Sequence, residues 1–240
     1  MLAACTQPTT SGEPLAAANQ HYEAGEYEHA VEAYQSIVDA GVMDGALFYN
    51  LGNAYFKSGD LGRAILNYRR AQRWLPRDPD VAANLQLARA QTKDRLEAEA
   101  GSDLAHLVER LLVEWTTLDE AAAVALGLWV LCCALIMAGT VRPRARRALS
   151  YGIAAVAMLL ALSVMSVGMR VFGERGRWPA VIVTDSVEVR SGPGVDYLTE
   201  FTLHAGTEVH IIEGRAGWVR LALPGDLQGW APGETVERVY

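Results

Sequence analysis

Apolar and polar positions follow three different rhythms along this chain. In the first stretch apolar residues recur at helical spacing: Phe48, Leu51 and Tyr55 mark one helix face, and Val81, Ala82, Leu85, Leu87 and Ala88 supply another stripe before the charges of Lys93, Asp94, Arg95 and Glu97. Such spacing lines one side of an α-helix. Leu104, Leu107, Val108, Leu111, Leu112 and Trp115 continue the pattern over 103–118. An amphipathic helix ending in Trp just ahead of an apolar run suits a membrane interface, and it equally suits packing against the helices before it. Two runs without any charged residue follow, 121–141 and 148–169. Each has about the 20 residues a helix needs to cross a bilayer. Beyond 179 the rhythm shortens to β-branched runs at 181–183, 187–189, 208–212, 218–221 and 236–239, separated by Gly and Pro turns, which predicts short strands in a small all-β domain.

The connection between the apolar runs, 142–147, holds Arg142, Arg144, Arg146 and Arg147. Short loops rich in Lys and Arg stay cytoplasmic, so the two spans are expected to form a hairpin with both flanking segments in the opposite compartment. Arg170, Arg175 and Arg177 behind the second span oppose this contrast, while Glu114, Asp119 and Glu120 ahead of the first contribute little to it. The expected location is a bacterial inner membrane, with the N- and C-terminal parts periplasmic.

The first stretch repeats itself. Gly25, Tyr27, Ala30 and Tyr34 recur 34 residues later as Gly59, Leu61, Ala64 and Tyr68. This is the period of tetratricopeptide (TPR) repeats, helix-turn-helix units. The second copy, 45–78, carries the fuller pattern, with Phe48, Leu51, Gly52, Tyr55, Gly59, Ala64, Tyr68, Ala71 and Pro76. Small Gly52 and Ala64 let the two helices approach, Tyr55 and Tyr68 fill the space beside them, and Pro76 ends the second helix. In the first copy Ala18 stands for Gly52 and Val42 for Pro76. The segment 14–98 thus resembles two TPR repeats and a capping helix, with Asp80 expected at that helix's start. Solenoid units cannot bury their faces alone and about three are usually needed, so so short an array is expected to lean on a partner, a second copy or the helix that follows.

In TPR arrays the concave face binds an extended or helical peptide. By repeat position Asn19 and Tyr22 of the first A helix, with Tyr49, Asn53 and Phe56 of the second, are expected to line it, the amides holding a peptide backbone and the aromatics giving apolar contact. Packing between helices is the alternative role for Tyr22, Tyr49 and Phe56. A two-Lys clamp for a C-terminal carboxylate is not evident.

The first residues, Met1-Leu2-Ala3-Ala4-Cys5, resemble a bacterial lipobox followed by a polar tether over 6–13. Cys5 is then the lipidation candidate, and the resemblance implies a signal peptide beginning upstream of Met1. Cys132 and Cys133 are adjacent within the first span, so no disulfide framework is available.

Net charge of −7 and the lack of a long basic run outside the hairpin loop argue against a nucleic-acid partner. No G-x-S-x-G elbow, phosphate loop or H-E-x-x-H helix occurs. His21, His29, His106, His204 and His210 are scattered, and Glu26 with Glu28 reads as a solvated helix face. The expectation is a non-enzymatic protein with no cofactor and no metal.

Val189-Arg190-Ser191-Gly192-Pro193-Gly194, Leu203 to Gly206, Gly217-Trp218 and Gly229-Trp230 resemble the bacterial SH3-type (SH3b) domain over 179–240. That implies an SH3-like small barrel in which Trp218 and Trp230 supply much of the core. Tyr197 and Phe201 are its candidate surface residues, and all four aromatics together form the alternative, a ligand groove. SH3b domains often accompany Cys/His wall hydrolases, but these cysteines cannot assemble one.

The order of parts resembles the BatE-type TPR proteins of bacterial Bat (aerotolerance) operons, a comparison that Asn84-Leu85 with Ala88-Arg89 also fits. The resemblance implies an envelope-stress or aerotolerance scaffold in the lipid bilayer. Its partners would be von Willebrand A-type Bat proteins, with a MoxR-type AAA+ ATPase more distant. The alternative is a membrane protein that holds peptidoglycan through its SH3b domain and recruits an envelope hydrolase or assembly factor through its repeats.

Overall fold

The computed structural model describes residues 12–94, 118–141, 146–173, 177–224 and 227–239. Cys5, the helix expected over 103–118 apart from its last residue, and most of the Arg-rich connection lie outside them. The described residues form two compact units: one within 12–94 and 178–239, the other within 118–177.

Five helices open the first unit: α1 (Gly12–Glu23), α2 (Tyr27–Asp39), α3 (Gly45–Ser58), α4 (Leu61–Trp74) and α5 (Pro79–Arg89). Aspartates start three of them. Asp44 accepts from the amides of Ala46 and Leu47, Asp60 from Arg63, and Asp78 from Asp80 and Val81. The cap of α5 is therefore Asp78 rather than the expected Asp80. Pro79 is suited to the first helical position because its missing N–H would have no partner there anyway, and this places the cap one residue before it. Gly59 closes α3 in the left-handed region at φ +93°, a conformation other residues adopt only with strain.

Helix pairs pack as their residue sizes dictate. A Cβ on Gly52 would lie 2.8 Å from the Tyr68 ring, so only glycine admits that ring between α3 and α4. Ala18, Ala30, Tyr34, Leu51 and Ala54 are buried in one cluster, and Ala64, Ile65, Leu66, Tyr68 and Leu85 in the next. Tyr55 joins both.

The same unit contains an antiparallel sheet of seven strands: β1 (Trp178–Ile182), β2 (Ser186–Arg190), β3 (Thr199–His204), β4 (Glu208–Arg215), β5 (Trp218–Ala222), β6 (Gln228–Pro232) and β7 (Val236–Arg238). Their order is β3-β2-β6-β5-β4-β1-β7. One buried cluster draws on all seven, through Ile182, Val189, Leu203, Val209, Ile211, Leu221, Ala231 and Val236 among others. Trp218 and Trp230 are only half-buried and stand outside this core, which corrects their expected role. The cluster is filled by Val, Ile, Leu and Ala instead. Strands β3 and β6 are absent from the β-branched runs because Thr-Glu-Phe-Thr and Gln-Gly-Trp-Ala-Pro carry polar, Gly and Pro residues.

Sheet and repeats are joined. Val181, Val183 and Val239 complete the buried cluster of α4 and α5. Gly62 of α4 meets the backbone of Ile182 and Val183 so closely that a Cβ would stand 2.7 Å from the Ile182 carbonyl. Around this apolar centre, Arg89 donates to both oxygens of Glu208 at 2.6 and 3.0 Å, and Arg69 lies 3.2 Å from the same carboxylate. Asp94 accepts from the amide of His204, its ring Nδ1–H and the Thr207 hydroxyl at 2.6–2.7 Å. Arg70 donates to the carbonyls of Val239 and Arg238. The short helical array thus leans on the C-terminal sheet, a support its sequence did not name.

The second unit is a helix pair, α6 (Leu118–Val141) and α7 (Arg146–Gly173). Stretches of 23 and 20 residues within them are long and apolar enough to cross a membrane, and only 6% of each is buried. Their length and apolar character are consistent with two membrane spans.

Candidate functional site: the groove of the helical array

The sequence-selected residues fall on one strip of the A helices, with Tyr49, Asn53 and Phe56 at i, i+4 and i+7 of α3 and Asn19 and Tyr22 on α1. All five are half-buried. The two asparagines are held alike: the Tyr34 hydroxyl donates to Asn19 Oδ1 at 2.6 Å, and the Tyr68 hydroxyl, 34 residues on, to Asn53 Oδ1 at 2.8 Å. Burial pushes the Tyr34 hydroxyl up to about 12 and raises that of Tyr68 as well, so both stay protonated donors. With its oxygen fixed, each amide is left with its NH2 group, which no bond among the described residues uses. The arrangement presents two hydrogen-bond donors at a 34-residue interval, the chemistry that reads carbonyl oxygens of a bound chain.

Helix α5 extends the strip. Asn84 donates to the Tyr49 hydroxyl at 3.0 Å and to Asn53 Oδ1 at 2.9 Å, locking both groups. Leu87 stands 34 residues beyond Asn53 and is 51% exposed. Sequence reasoning missed both as site residues, although extending the repeat period by one step reaches Leu87. The aromatics divide their roles: Tyr49 and Phe56 pack against the α4–α5 cluster, Tyr22 against that of α1–α2. Burial raises the Tyr22 hydroxyl, helped by nearby Tyr27 and Tyr49. The polar contacts to the sheet run from α4, α5 and the turn after it; α1, α2 and α3 make none among the described residues, which leaves the asparagine strip clear of them.

On the sheet, Tyr197 lies across Gly192, where a Cβ would fall 2.4 Å from its ring, and Tyr197 remains 50% exposed. Phe201 is half-buried against the sheet core. Arg190 fixes their loop by donating to the carbonyls of Val195 and Tyr197 while pairing with Glu188 at 2.7 Å. Beside it is a cleft of about 650 Å³ lined by Val187, Glu188, Arg190, Val195, Trp218 and Pro232. This cleft, rather than the sheet interior, is where Trp218 belongs.

Compared with known proteins, residues 45–78 match the tetratricopeptide repeat family. No curated protein matches the chain. TPR repeats mediate protein–protein interactions, and the part of the chain that carries the match is the α3–α4 unit with the Tyr68–Asn53 pair at its centre.

Proposed function

We propose that the protein is a non-enzymatic, membrane-anchored adaptor of the Bat type, which captures protein partners with its helical groove on the periplasmic side of a bacterial inner membrane. The observation that carries this reading is the union of repeats and sheet. Two segments separated in sequence by two apolar helices form one compact unit, and this requires both to lie on the same face of any membrane the helices cross. A two-span hairpin meets the requirement, and the Arg-rich connection favours its bend on the cytoplasmic side. The C-terminal sheet in this reading is an SH3-like barrel that both buttresses the array and faces the same compartment. The partners are von Willebrand A-type Bat proteins, with a MoxR-type ATPase further removed, in an envelope-stress or aerotolerance role. Cys5 is a lipid attachment site.

The test is co-purification of the full chain with those von Willebrand A-type proteins. Asn53→Asp keeps the oxygen that Tyr68 and Asn84 hold but removes the donor, and Leu87→Glu places a charge on the exposed apolar position. Both are expected to fold and to lose capture; retained capture by the pair would remove the groove from the assignment.

The cleft beside Trp218 favours one second reading, a wall-binding protein in which the sheet holds peptidoglycan. An aromatic face beside polar Glu188 and Arg190 suits a glycan strand or its peptide stem. Retention of the full chain on purified sacculi, lost in Trp218→Ala, would support it over the adaptor reading.

A further inference from the structure

The turn between α1 and α2 gathers three metal-ligating side chains, His21, Glu26 and His29. Gly25, at φ +78°, reverses the chain in the left-handed region, so that His21 near the end of α1 faces Glu26 and His29 at the start of α2. Their ligand atoms all lie within 4.8 Å of one another. His21 Nδ1 is 2.6 Å and His29 Nδ1 is 3.9 Å from the same oxygen, Glu26 Oε2, and the two imidazoles are 5.6 Å apart between centroids.

The second repeat shows what this corner does when it is only structural. At the position of Glu26 it has Asp60, which caps α4 by accepting from the Arg63 amide and pairs with the Arg63 guanidinium at 2.8 Å. Arg63 in turn stands where His29 does, and Tyr55 where His21 does. In the first repeat the same three positions hold Glu, His and His, and Glu26 makes no side-chain cap at all. Its carboxylate is turned to the imidazoles instead, and the hydrogen bond from His21 holds it below the usual carboxylate range. Capping has been given up for a ligand-like arrangement.

We propose that His21, Glu26 and His29 form a binding site for a divalent transition-metal ion of the zinc class, with water completing the shell. Two imidazoles and a carboxylate are the donor set such ions take. Tetrahedral coordination at about 2.0–2.1 Å puts donor atoms about 3.3 Å apart. The 2.6 Å pair has to open and the 3.9 Å pair to close, each by less than an ångström. The side chains are 42%, 51% and 67% exposed, which gives the site access to solvent metal and makes it an exchangeable site rather than a sealed structural one. Bound metal would tie α1 to α2 in the repeat that the sheet's polar contacts do not reach.

The test is titration of the full chain in detergent micelles with Zn2+ alone, by calorimetry, with the thermal midpoint followed in parallel. His29→Arg recreates the second repeat's ion pair but cannot ligate, so it separates a structural role from a metal-binding one; His29→Gln serves as the second variant. The parent is expected to take up one more Zn2+ per chain than either variant, or to bind it roughly tenfold more tightly or better, and to gain thermal stability that the variants do not. Equal stoichiometry and affinity in parent and variants, or no uptake by the parent, would overturn the site.

Discussion

The two helical repeats share a period and a hydrogen bond but are stabilised differently. In the second, Asp44 and Asp60 cap both helices, Gly59 closes the first of them, Gly52 admits the Tyr68 ring, and α5 and the sheet cover what remains. The first has neither a side-chain cap on α2 nor a glycine beneath its tyrosine, since Ala18 stands at that place. What both retain is the tyrosine-to-asparagine bond. The difference teaches which packing features of the repeat tolerate substitutes and which pair recurs unchanged. It also accounts for a family match confined to 45–78.

The largest expected effect tests the packing half of that contrast. Gly52→Val would force the Tyr68 ring away and is expected to destabilise the chain by about 3 kcal/mol, as overpacking of a filled site does. Ala18→Gly, which moves the first repeat toward the second, is expected to cost only about 1 kcal/mol, through backbone entropy. Thermal or urea unfolding of the full chain in micelles reads both, and equal losses would erase the distinction.

Much of the helical and strand framework is legible in the residues. The 34-residue interval marks the helices of the repeats, and the uncharged runs mark the long helices. The β-branched runs located five of the strands. What escaped was everything that depends on distant segments meeting. Arg69, Arg89 and Glu208 are unremarkable charges until α4, α5 and β4 bring them together. His21 and His29 look scattered because spacing in sequence does not reveal a reversal at Gly25. The SH3b resemblance implies that Trp218 and Trp230 supply much of the core, whereas Val189, Leu221 and Ala231 are the fully buried residues there.

A second prediction separates the repeat supported by the sheet from the one that is not. Asp94→Ala removes three bonds to His204 and Thr207 and is expected to cost about 2 kcal/mol, with the part-buried His204 donors left unpaired. The loss should appear as earlier hydrogen exchange in α4, α5 and β4, and not in α1 or α2. Uniform loosening across both repeats would show that the sheet is not the selective support described here.

Acid should loosen the same seam. Burial raises the Glu208 carboxyl, but the hydrogen bonds from Arg89 and the charges of Arg69 and Arg89 outweigh it and hold it below its ordinary 4.5. Asp94 is likewise held below 3.8, where bonds from Thr207 and His204 outweigh burial. A carboxylate with a lowered folded-state value contributes stability above its unfolded value and loses it as pH falls through the folded one. Stability is thus expected to drop below about pH 4.5, by about 1 kcal/mol in all for the partly exposed Glu208 seam. A Glu208→Gln chain should show a shallower acid slope, and an unchanged slope would contradict the assignment.

The smallest effects concern the caps. Asp60→Ala is expected to cost about 1 kcal/mol, whereas Glu26→Ala, which removes no cap, is expected to cost less than that in metal-free buffer. A larger loss for Glu26→Ala would mean that its bond to His21 stabilises the first repeat on its own.

One topology measurement bears most directly on the proposed arrangement, repeats and sheet as one body on the outer face of the membrane. A reporter enzyme active only outside the cytosol, fused in separate chains ahead of residue 12 and after residue 239, is expected to be active at both ends in the bacterial host. Activity at one end alone would contradict the union of repeats and sheet, and silence at both would place the adaptor groove in the cytosol.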